Sequence, residues 1–132
     1  MHRPLLLAPL VLALHGCAAT SCTEIGCVNM LTLHIATDSG DPVTEPTGTV
    51  TVGETTVDFD CSTASNEYTC SGSDVSITFS GDGGDVEYEV HIPYYVGAGT
   101  DAPDWSLSEP NGPDCPPTCY GGELDVVLYS TP

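Results

Sequence analysis

Apolar positions along this chain recur at every second residue, and no stretch repeats at the helical period of 3.6. Leu31, Leu33 and Ile35 alternate with Thr32 and His34, which predicts a half-buried strand. Asp38-Ser39-Gly40-Asp41-Pro42 ends that strand as a turn. Gly53-Glu54 puts Gly at the first central position of a two-residue type II′ hairpin, so Val52 should face Thr55 and Val50 should face Val57. In that register Val50, Val52, Val57 and Phe59 share one face, while Thr49, Thr51, Thr56 and Asp58 share the other, so turn and burial pattern agree. Cys61 continues the Phe59 face, and beyond the polar loop from Ser62 to Glu67 a short strand is expected around Tyr68 to Cys70.

A second hairpin is expected next. Val75, Ile77 and Phe79 alternate with Ser76 and Thr78, and after Gly81-Asp82-Gly83-Gly84 the residues Val86, Tyr88, Val90 and Ile92 alternate with Glu87, Glu89 and His91. Pairing Ser80 with Asp85 sets Phe79 opposite Val86, Ile77 opposite Tyr88 and Val75 opposite Val90. Near the C-terminus Leu124, Val126 and Leu128 alternate with Asp125, but Val127 and Tyr129 make that strand apolar on both faces, as expected of a central or covered strand. The Pro-rich connection from Ile92 to Gly122 is too long to be structureless in a compact domain, so a further strand is expected around Asp104 to Ser108, with Trp105 and Leu107 facing the core. The fold class that follows is all-β: a single antiparallel β-sandwich of about seven short strands, stapled by disulfides.

The segment ahead of these strands reads differently. Met1-His2-Arg3-Pro4 is basic, and Leu5 to Leu14 is an apolar run interrupted only by Pro9. As a helix that run covers about 15 Å of a bilayer core about 30 Å thick, so it reads as a signal peptide over residues 1–16 and not as a membrane span. Leu14-His15-Gly16-Cys17 resembles the lipobox of bacterial lipoproteins, with His15 departing from the usual small residue. The resemblance implies lipidation of Cys17, a tether over residues 17–27, a β domain over 28–132, and attachment to a membrane of the cell envelope, the outer membrane first among them. The competing reading is ordinary cleavage after Ala18 or Ala19, which gives a secreted soluble protein.

The chain has seven Cys, and setting Cys17 aside leaves Cys22, Cys27, Cys61, Cys70, Cys115 and Cys119. An even number of exported Cys implies disulfides, and six allow fifteen pairings. Cys61 with Cys70, closing the Ser62 to Glu67 loop, is the first candidate. Cys115 and Cys119 bridge either locally or to Cys22 or Cys27. The Cys-Pro-Pro-Thr-Cys spacing and the absence of a helix speak against a redox dithiol, and the lack of Cys-x-x-Cys knuckles against zinc.

Ile25-Gly26-Cys27 before the first strand, Cys61 and Cys70 within the domain, and Pro110-Asn111-Gly112-Pro113-Asp114-Cys115-Pro116-Pro117-Thr118-Cys119 before the last strand look like the small uncharacterised lipoproteins of myxobacteria. The strand order resembles transthyretin-like or immunoglobulin-like modules. Neither resemblance implies catalytic residues.

Charge narrows the partners. The only Lys or Arg is Arg3, inside the signal peptide, whereas all 19 Asp and Glu follow it. Such a surface repels phosphates, which excludes DNA and RNA as partners. His34 and His91 lie on polar strand faces, and no Gly-x-Ser-x-Gly elbow exists, so nucleophilic catalysis is not indicated. Calcium is the candidate cofactor, since Asp38 with Asp41, Asp82 with Asp85, and Asp101 with Asp104 each put two acids on a turn. Tyr94, Tyr95, Trp105 and Tyr120 near rigid Pro turns are the candidate binding residues for a protein or glycan partner. The function expected is a non-catalytic binding or interaction module on a lipid tether. Its alternatives are an accessory lipoprotein whose acidity is a salt adaptation, a calcium-binding module, and an acid-pair hydrolase.

Overall fold

The computed structural model describes residues 22–132, and the expected signal peptide over residues 1–16 and the expected lipidation site Cys17 lie outside the described residues. Nine strands follow in chain order: β1 (Asn29–Thr37), β2 (Thr47–Val52), β3 (Thr55–Asp60), β4 (Tyr68–Ser71), β5 (Asp74–Phe79), β6 (Val86–Ile92), β7 (Tyr95–Asp101), β8 (Ser106–Ser108) and β9 (Cys119–Ser130). No helix occurs among the described residues. The strands form one path in the order β3-β2-β6-β7-β9-β1-β5-β4, with β8 added on β9. The sheet is nearly closed and barrel-like, rather than the two separate layers of a seven-strand sandwich. Its pairs are antiparallel except β1 with β9, which is parallel, so the all-antiparallel expectation is also corrected.

The long β9 makes the curl. Its residues Gly121 to Leu128 pair with β1, whereas only Tyr129 and Ser130 pair with β7. The two ends of the path meet without a ladder. Cys61 at the end of β3 is bonded to Cys70 of β4, the Tyr68 hydroxyl donates to the Asp60 carbonyl at 2.9 Å, and the Phe59 and Tyr68 rings meet edge-on at 6.3 Å. Inside, Leu31, Leu33, Val50, Val86, Val126 and Leu128 are fully buried, each from an alternating position of its strand.

The β2–β3 hairpin has the expected register, Val50 with Val57 and Val52 with Thr55, and Gly53 supplies the positive φ its turn needs. The expected β5–β6 hairpin does not form. β5 pairs with β1 and β4, while β6 pairs with β2 and β7, so Phe79 lies in register with Asn29 and Val86 with Val52. The Gly81 to Gly84 segment therefore crosses from one half of the curled sheet to the other. Alternation states which face a strand buries, not which neighbour it takes.

β7 fills part of the Pro-rich connection, entered by a turn at Pro93-Tyr94 in which Tyr94 has φ 71°. Its inward positions are Gly97 and Gly99. A Cβ on Gly97 would lie 2.6 Å from the Val127 carbonyl oxygen, and one on Gly99 would lie 2.9 Å from the Tyr88 hydroxyl, so neighbouring strands take the space of the missing side chains. The strand expected around Asp104 to Ser108 is β8, but Leu107 is exposed instead of core-facing, because β8 is an edge strand outside the curl. Trp105 is half-buried: its ring tilts on Phe79 at 5.1 Å, covers Gly83 and Gly122, and its Nε1 donates to the Gly84 carbonyl at 3.0 Å.

Candidate functional site

Two disulfides fix the segment ahead of β1. Cys22 is bonded to Cys115 and Cys27 to Cys119, with Cα separations of 5.5 and 6.1 Å. Asn111 reinforces the clamp: its Oδ1 accepts from the Ile25 N–H at 2.8 Å and its Nδ2 donates to the Ile25 and Pro116 carbonyls. Because β9 starts at Cys119 and runs parallel to β1, both strands lead away from this clamp.

At the far end of β9 the sheet presents apolar side chains outward. Val127 is 40% exposed and Tyr129 59% exposed, although β9 is flanked by β1, β7 and β8. The strand apolar on both faces is therefore central, as expected, but its outer face is not covered by any described part of the chain. Register extends the strip sideways. Ala36 of β1 is paired with Val127, and Val96 of β7 with Tyr129, so all four side chains share the outer face. Asp125 lies two residues before Val127 on the same face, and across β7 the residues His91 and Glu89 are paired with Val96 and Ala98. An apolar strip thus lies within a polar surround on this face.

The four candidate aromatics do not form one site. Tyr94, 82% exposed, tips the β6–β7 hairpin beside the end of β9, where its carbonyl accepts from the Thr131 N–H at 2.8 Å. Tyr95 is partly buried, and its hydroxyl donates to Asp41 and bonds Ser39 at 2.7 Å. The Asp41 carboxylate accepting that hydroxyl, outweighing the opposing bond to Ser39, holds the Tyr95 phenol above its usual range. Trp105 and Tyr120 lie at the clamp end, where Tyr120 is partly buried and its N–H donates to Asn29. Ile25, Val28, Met30 and Leu107, also near the clamp, are exposed.

The acid pairs are likewise split. Asp82 with Asp85 and Asp101 with Asp104 lie at one end, since Val86 is paired with Asp101 and Trp105 reaches Gly84. Asp38 and Asp41 follow the other end of β1, where Asp41 is engaged by Tyr95 and the Asp38 N–H donates to the Leu128 carbonyl. Asp101 accepts from the Ala102 N–H at 2.8 Å. Among the described residues no group of three or more His, Cys, Asp or Glu is arranged to hold a metal ion.

His34 bridges two carboxylates, Nδ1 to Asp74 at 2.9 Å and Nε2 to Glu123 at 3.2 Å, and His91 Nε2 meets Glu89 at 2.7 Å. Acceptance of hydrogen bonds by Asp74 first and Glu123 second raises the His34 pKa above its ordinary value. These ring nitrogens face carboxylates and not a Ser or Cys that they could activate. A shallow depression of about 310 Å³ between Thr49, Thr51, Glu87, Glu89 and Thr100 carries two acids on one strand face. No helix of the described residues is long and apolar enough to cross a membrane.

The outer strip was half-visible in sequence, because Val127 and Tyr129 break the alternation of β9. Its side members Ala36 and Val96 were not, since only the β1–β9 and β7–β9 registers bring them there. No family model, no curated protein and no solved structure matches the chain.

Proposed function

We propose that this chain is a non-catalytic interaction module of the cell envelope, held at a membrane by a lipid on Cys17 and docking a protein partner on the outer face of β9. The observation that carries the reading is the strip of exposed Ala36, Val127 and Tyr129 with half-buried Val96, left open by the described residues on a strand that is central in its sheet. A central strand is where a chain most readily hides apolar surface, and the described residues leave this one open.

The clamp supports the tethered arrangement. Cys22 is five residues beyond Cys17, a reach of at most about 18 Å for extended chain. From Cys22 onward the segment is bonded to the body, so a lipid on Cys17 would keep the domain close to the bilayer, clamp end first. β9 spans twelve residues, about 36 Å at the usual rise, and would carry Tyr129 outward from that surface.

Two experiments test this. Cys17→Ala should move the protein from the membrane to the soluble fraction and remove the acyl mass from the intact protein. A photoreactive benzophenone amino acid at position 127 should give protein adducts in intact cells, whereas the same group at position 32, on the same outer face nearer the clamp, should give few. Equal yields from both positions would defeat the docking surface.

A further inference from the structure

Resting on the reading of the outer β9 face as a docking surface, we infer that its occupant is a protein surface with an apolar centre and a Lys- or Arg-rich rim. Charge decides among the occupants. Residues 22–132 carry all 19 acids and not one Lys or Arg, and the strip itself is bordered by Asp125 along β9 and, across β7, by His91, whose Nε2 meets the Glu89 carboxylate at 2.7 Å. A second copy would set carboxylates against carboxylates around the strip, with no Lys or Arg to interleave, and like charges juxtaposed at an interface repel. A bilayer of anionic lipids is disfavoured for the same reason.

Shape disfavours a small ligand at this position. Small molecules take concave sites, and the depressions of about 310, 480 and 560 Å³ are lined by other residues. The strip is the outside of three adjacent strands, with side chains standing off a sheet surface. A surface of that kind meets another protein, with aliphatic groups against Val127 and Val96. Tyr129 and the exposed Tyr94 would then offer ring faces to arginine or lysine at the rim. Long-range attraction between an anionic module and a basic partner would also speed encounter, in a manner that salt suppresses.

The test uses the mature chain and three synthetic probes: a hairpin peptide with Val and Tyr on one face and Lys at its margins, the same hairpin with Glu for Lys, and oligolysine. Binding is followed by titration and by NMR shift mapping at physiological salt. The Lys-margined hairpin should shift Ala36, Val96, Val127 and Tyr129, and should lose at least tenfold affinity both on changing Lys to Glu and in the Val127→Ser/Tyr129→Ser variant. Equal binding of both hairpins at this face would overturn the basic rim and leave the docking surface standing. If the Lys-margined hairpin binds no tighter than oligolysine, with diffuse shifts insensitive to the two substitutions, then both readings fail. Self-association abolished by Tyr129→Ser would make a second copy the occupant and overturn the inference. Both substituted side chains are substantially exposed, so thermal stability should change little and reports whether the variant is folded.

Discussion

His34 and Asp74 stand opposite each other in register on β1 and β5, with Nδ1 of the imidazole 2.9 Å from Oδ1 of the carboxylate. On the other side of the ring Nε2 meets Glu123, and Asp125 is the register partner of His34 on β9. A single imidazole thus sits between acids from both neighbouring strands. Its folded-state pKa is raised, so its stabilising contribution is complete below the unfolded value of about 6.5 and is lost as pH climbs through the folded value. The Tm of the wild type should exceed that of His34→Gln at about pH 5.5, and the gap should close in mildly alkaline buffer. A gap that widens with pH would contradict the assignment.

The two clamp disulfides should be coupled. With Cys27–Cys119 intact, opening Cys22–Cys115 releases only a small ring of about nine residues, whereas opening both frees a loop spanning a separation of 93. Chain-entropy arithmetic gives about 2.5 kcal/mol for either bridge removed alone and about 7 kcal/mol for both, so the double removal should exceed the sum by about 2 kcal/mol. Denaturant titration of the Cys22→Ala/Cys115→Ala pair, the Cys27→Ala/Cys119→Ala pair and the quadruple variant measures this. Simple additivity would mean that the bridges close independent loops.

Much of the sheet's interior was legible from residues 31 to 59, because alternation and a two-residue turn are local properties that agree with each other. The path of the sheet was not. Strands β5 and β6 each bury a perfect alternation, yet pair with β1 and β2, since nothing in a four-residue glycine-rich turn distinguishes a hairpin from a crossover. β7 escaped notice because Gly97 and Gly99 occupy the very positions at which alternation would show side chains. At the candidate site, β9 announced its second apolar face through Val127 and Tyr129, but whether that face was covered depended on where the rest of the chain went.

The Gly97 position gives a direct test of that packing. A Cβ there meets the backbone oxygen of Val127, which cannot rotate away, so Gly97→Ala should lower stability by about 1–3 kcal/mol, while Ala98→Ser on the exposed side of the same strand should stay within about 0.5 kcal/mol. Indifference to Gly97→Ala would show that β7 and β9 are farther apart than described.

Tyr94 invites the opposite outcome. Its φ of 71° follows Pro93 in a two-residue turn, the position of a type II turn that favours Gly or Asn, and its side chain is 82% exposed. Tyr94→Asn should therefore raise stability by about 0.5–1 kcal/mol. A fall in Tm with Tyr94→Asn would mean that the ring makes a stabilising contact.

The parallel pairing of β1 with β9 joins the first strand to the last, with seven others' worth of chain synthesised in between. As the polypeptide emerges, Cys61 and Cys70 can find each other almost at once, being nine apart, but Cys22 and Cys27 must wait some ninety residues for Cys115 and Cys119. Throughout that interval two early thiols coexist with two others nearer at hand. A nascent chain arrested before Cys115 would thus be the form most open to wrong cystines, and the oxidative history of this protein turns on the arrival of its final strand.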